Sequence, residues 1–129
     1  MEVFRNKCAN IIYDTDKKRL YQEWFGFPVS EEFRDAINAT VDFSKNHRIT
    51  ALITDTREHG IVNQSDVEYA ASMMSILIEN GLKRMAFVTS KNKMTLFSVD
   101  YFINNQSVES IEVFNDLDDA HEWLESINN

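Results

Sequence analysis

The chain holds one cysteine, one proline and three glycines among its 129 residues. A lone Cys8 excludes an internal disulfide, and with it the disulfide scaffolds of small secreted domains. So little proline and glycine leaves no composition for a flexible linker or a low-complexity tail, and no internal repeat interrupts the chain. A single domain over 1–129 is therefore expected, long enough to bury a core without metal or disulfide staples. Long hydrophobic runs are missing too. No stretch approaches the ~20 apolar residues of a membrane-spanning helix, and Glu2, Arg5 and Lys7 interrupt the N-terminus before any run of export length. A cytoplasmic setting without an integral membrane segment is the expectation.

Positive charge is the other scarcity. Thirteen Lys and Arg stand against twenty-one Asp and Glu, a net charge of −8. Nucleic-acid binding needs phosphates neutralised by cations, so no nucleic-acid partner is expected, and adhesion to an anionic membrane surface is disfavoured. Lys17-Lys18-Arg19 is the one basic cluster, and it falls in a turn where solvated charge is the ordinary reading.

What is present is an alternation of short apolar runs with amphipathic segments. Asn10–Tyr13 and Leu20–Trp24 flank the polar Asp14–Lys18 group, as an antiparallel hairpin does. Pro28 ends the second run. Ser30 as N-cap, with Glu31 and Glu32 behind it, opens a first helix to about Asn46. Ile49–Thr54 reads as a buried strand. Ser65-Asp66-Val67-Glu68 reads as a capping box opening a second helix, which ends at Asn80-Gly81. Met85–Val88 is the next strand, Lys91–Asn104 a third helix and Ile111–Phe114 the last strand. Asp116 and Asp119 frame the start of a C-terminal helix with Leu117, Ala120, Leu124 and Ile127 on one stripe. The order ββαβαβαβα predicts an α/β fold: a mixed sheet of about five strands, an N-terminal antiparallel hairpin followed by βα units, with helices covering the sheet.

Phe114, the acidic turn Asn115–Asp119, Ala120, Trp123 and Leu124 close the chain. With the strand Arg84–Thr89, they resemble the STAS-like (SpoIIAA-like) family, the fold of anti-sigma-factor antagonists, and more closely its small stand-alone bacterial members related to lipid-transfer domains. The resemblance covers essentially the whole chain. It implies a regulatory or binding module, and on its lipid-transfer side a small apolar ligand or lipid. In regulatory STAS domains an Asp-Ser-Ser-Gly-like segment carries a phosphoacceptor serine. Here Asn63-Gln64-Ser65-Asp66 occupies that place, so Ser65 is the matching position. Asn63 replaces the Asp, however, and the Asp66 carboxylate would repel a phosphoryl group, so phosphorylation of Ser65 is not expected.

Three further features bear on chemistry. Asp55–Gly60 follows a buried strand at the edge where open α/β sheets place ligands, and an enzyme reading would use Asp55, Arg57 and His59, with His59 as a base oriented by Asp55 or Glu58 and Ser65 as a nearby hydroxyl. A solvated, self-paired loop is the plainer reading. His47, His59, His121 and Cys8 lie in different segments without zinc spacing, so neither metal nor cofactor is expected. Finally, the second and third helices are apolar around most of their circumference. Met73, Met74, Leu77, Met94, Phe97 and Tyr101 become candidate ligand-binding residues of a cleft between them. Core packing and a ligand-free homodimeric interaction module are the alternatives, and a homodimer is the expected assembly.

Overall fold

The computed structural model describes residues 1–26, 29–59, 63–89 and 110–127. The expected hairpin forms from β2 (Ala9–Asp14) and β3 (Arg19–Gly26), with Ile12 opposite Tyr21. Its turn closes where Asp14 Oδ1 accepts from the Lys17 backbone N–H at 3.1 Å, and Lys18 takes a left-handed φ of 55°. An additional strand, β1 (Glu2–Arg5), precedes it and pairs antiparallel with β2 through a bulge between Glu2 and Phe4. The charged Glu2 and Arg5 at its ends hide this strand from an apolar-run reading, while Val3 and Phe4 pack on the core. Asn6 makes the β1–β2 turn, its Oδ1 accepting from the Cys8 and Ala9 backbone N–H groups.

Helix α1 (Ser30–Asn46) leads to β4 (Ala51–His59), α2 (Gln64–Glu79) to β5 (Arg84–Val88), and β6 (Ser110–Phe114) precedes α3 (Leu117–Ile127). The sheet therefore has six strands rather than about five, in the order β1-β2-β3-β4-β5-β6. The β3–β4, β4–β5 and β5–β6 pairs are parallel. It is a mixed α/β sheet with three helices among the described residues. The helix expected over Lys91–Asn104 lies outside them.

The period-two alternation of the strands sorts side chains between two layers. Leu20, Trp24, Leu52, Met85 and Phe87 join Phe33 and Ala36 of α1 and Met74 and Leu77 of α2 in the larger core. Ala51, Ile53, Ala86 and Val88 face the other way, onto Ala120 and Leu124 of α3. Both faces of β4 and β5 are thus covered, which is why they read as near-continuous apolar runs.

Three local expectations are corrected. Val29, not Ser30, is the N-cap of α1, and Ser30 Oγ donates instead to Asp66 Oδ2 at 2.7 Å. Asn63, not Ser65, caps α2: its Oδ1 accepts from the Asp66 N–H at 3.0 Å and also from Ser65 Oγ. The segment Asp55–His59 is strand rather than loop, because β3 runs on to Gly26 beside it and supplies a ladder partner as far as His59. The helix ends hold as read: Gly81 takes φ 118° after α2, and Asp116 Oδ1 accepts from the Asp118 N–H at the start of α3.

Candidate functional site

Along the middle of β3 and β4, the ladder sets Tyr21 beside Ile53 and Glu23 beside Asp55. A tyrosine is long enough to reach diagonally to the next same-face position, and Tyr21 Oη donates to Asp55 Oδ2 at 2.8 Å. Arg57, two residues on and on the same face, closes a fork on that carboxylate. Its Nε donates to Oδ1 at 3.0 Å, its Nη2 to Oδ2 at 2.8 Å, and its backbone N–H to Oδ1 at 3.1 Å. Asp55 is 3% exposed. Burial on its own would raise its pKa, but the Arg57 and Tyr21 hydrogen bonds outweigh that and hold it below the ordinary carboxylate range. Burial and the same carboxylate push the Tyr21 phenol up, and Asp55 pushes the Arg57 guanidinium up.

Asp55 is therefore a committed anion, its two oxygens shared among four donors. Such a carboxylate fixes its partners in place and is poorly suited to accept a proton from substrate. The backbone of His59 ends β4. Its side chain lies outside the described residues.

A second polar cluster joins the N-terminal turns of α1 and α2. Asp66 is 1% exposed and accepts from Ser30 Oγ, from Asn63 Nδ2 at 3.0 Å and from Arg34 Nε at 2.9 Å. The Arg34 guanidinium sits 4.6 Å over the Tyr69 ring, and Tyr69 Oη donates to Asn38 Oδ1. These contacts clamp the two helices together beyond the C-terminal end of β4. The sequence picks out Ser30, Asn63 and Asp66 one at a time; that they and Arg34 converge on one carboxylate follows only once α1 and α2 lie side by side.

Of the candidate ligand-binding residues, Met74 and Leu77 are buried in the core beneath α2, and Met73 is half-buried at its margin. Met94, Phe97 and Tyr101 lie outside the described residues. Ser65 is exposed, its hydroxyl donating to Asn63.

His47 is exposed at the end of α1, its ring stacked on Phe43 at 4.0 Å. His121 is half-buried rather than solvent-facing. Its Nδ1 lies 3.2 Å from Arg19 Nη1, and burial and then that cation hold its pKa below the usual imidazole value. Cys8 is 3% exposed, and burial, followed by the charge of Glu32, pushes its thiol up to about 11. Such a thiol is inert at neutral pH.

Among the described residues, no three His, Cys, Asp or Glu side chains converge as metal ligands, and no helix is long and apolar enough to cross a membrane. Compared with known proteins, the chain matches no family model and no curated protein.

Proposed function

We propose that this chain is a non-catalytic binding or regulatory module of STAS-like type, and that it takes a small apolar or amphipathic molecule on the apolar side of α2. The observation that carries the proposal is the breadth of that helix's apolar surface. Val67, Ala70, Met74 and Leu77 form the buried stripe, while Ala71, Met73, Ile76 and Ile78 flank it half-exposed. The polar strip narrows to Glu68, Ser72, Ser75 and Glu79. Ala71, Met73, Ile76 and Ile78 pack against the core yet keep part of their surface open, an apolar margin that a guest can occupy, and unbranched methionine side chains repack easily around a variable guest.

Two further features support the reading. The mixed α/β sheet, an antiparallel hairpin leading into parallel βα units, is the coarse frame on which that resemblance rests. The acid of the enzyme alternative, Asp55, is spent on Arg57 and Tyr21 rather than held ready for proton transfer.

The test is titration with a fluorescent fatty-acyl probe. Saturable binding that is lost in Met73→Glu and Ile76→Glu, and kept in Ser72→Glu on the polar strip, is the expected result. Binding that survives both apolar substitutions, or a wild-type chain that binds no probe, would sink the proposal.

A further inference from the structure

In a chain of net charge −8, six of thirteen Lys and Arg residues gather at one end of the sheet. Lys17, Lys18 and Arg19 precede or open β3, Arg48 lies before β4, and Lys83 and Arg84 lie at the start of β5. Backbone hydrogen bonds stitch these three approaches together: the Thr50 N–H donates to Lys18 O, and the Lys83 and Arg84 N–H groups both donate to Thr50 O. These cations thus share one end of the sheet, with Asp14 and Asp16 in the same turn as Lys17 and Lys18 and Glu125 paired to Lys17 and Arg19.

One of these cations, Arg19, is taken out of water, and a second, Arg84, is half-buried. Arg19 and Arg84 stand in register on either side of Ala51, on the face that α3 covers. Arg19, expected from the sequence as a solvated turn residue, is 3% exposed because it falls on the inward side of β3 beneath α3. Its Nη1 meets His121 Nδ1 and Glu125 Oε1, each at 3.2 Å. Among the described residues, its Nε and Nη2 are buried with no hydrogen-bond partner, and so is Arg84 Nε. A guanidinium taken out of water normally has its donors matched by acceptors. Here three donors of two neighbouring arginines are left over, and Lys17, half-exposed, stands at the rim with its Nζ 2.5 Å from Glu125 Oε1.

The geometry points to a binding site for a small multivalent oxyanion of the phosphate type between Arg19 and Arg84, with Lys17 at its mouth. A tetrahedral oxyanion offers acceptor oxygens in several directions, enough to meet donors of both arginines and Lys17 together. Glu125, itself 48% exposed, is the competitor: its carboxylate shares Lys17 and one Arg19 donor, and swings aside when the oxyanion enters. This site is independent of the apolar side of α2.

The test is calorimetric titration of inorganic phosphate into the purified chain, at ionic strength held constant with chloride. The expected wild-type result is saturable one-to-one binding. Arg84→Gln weakens it about tenfold by removing one charged fork. Glu125→Gln tightens it several-fold by removing the competing carboxylate, an effect that a purely structural role for the ion pairs would not produce. Both positions are at least partly exposed, so circular dichroism can confirm that the variants fold. Acetate, with two oxygens, should bind much more weakly than phosphate. No saturable heat in the wild type, equal affinity for acetate, or an affinity unmoved by both substitutions would overturn the assignment.

Discussion

Truncating Arg57 probes the Asp55 network most sharply. Arg57→Ala removes two charge-assisted hydrogen bonds, of 3.0 and 2.8 Å, from a carboxylate that is 3% exposed. It leaves Asp55 with the Tyr21 hydroxyl and one backbone N–H. Bonds to charged groups are each worth about 1.5–3 kcal/mol, but the Arg57 side chain is 38% exposed, so water recovers part of the loss. The expected destabilisation at pH 7 is about 1.5–2.5 kcal/mol by urea denaturation. Tyr21→Phe removes the 2.8 Å bond while keeping the ring, for about 1–2 kcal/mol. The double variant should cost about 1 kcal/mol more than the sum, because the buried anion then keeps only a backbone donor. The folded pKa of Asp55 lies below its unfolded value. Its stabilisation is therefore fully present above the unfolded pKa of about 3.9 and is lost as pH falls through the folded value. The gap between wild type and Arg57→Ala should accordingly shrink as pH falls below about 4. A difference under about 0.5 kcal/mol at pH 7, or one that stays constant into acid, would refute the network.

Leu124 is 1% exposed against the β4–β5 face, so Leu124→Ala should cost about 2–5 kcal/mol in denaturant unfolding. Trp123 is only half-buried, its ring 5.7 Å from that of Phe114, so Trp123→Ala should cost about 1–3 kcal/mol, less than a fully buried ring would. Asn63→Ala should lower stability by about 1 kcal/mol as a lost N-cap, whereas Ser65→Ala should stay within about 0.5 kcal/mol; the reverse order would restore the capping-box reading. Cys8 should resist thiol reagents at neutral pH in the folded protein and react once urea unfolds it, and prompt labelling of the native chain would contradict its burial.

Much of the fold was legible because apolar period carries it. The runs at Ile11, Leu52 and Met85 mark strands, and Ala120 with Leu124 marks the face that α3 buries. β1 was not legible, since two of its four residues are charged and its stability comes from pairing with β2. The reach of β4 to His59 was hidden for the same reason: Asp55, Arg57, Glu58 and His59 are polar, and only the neighbouring β3 ladder holds them extended. Asp55 could be picked out from its place after an apolar run, but its partner Tyr21 depends on strand register, which a single chain does not print. The burial of Arg19 is the same kind of fact. A residue beside two exposed lysines became interior because strand alternation turned it under α3.

Native mass spectrometry of the protein as purified, followed by denaturation of the same sample, tests the binding-module reading most directly. The account predicts excess mass that departs on denaturation, a bound apolar or amphipathic molecule, on monomer or dimer alike. A clean dimer without any adduct, its apolar α2 margin covered by a second copy, would contradict it.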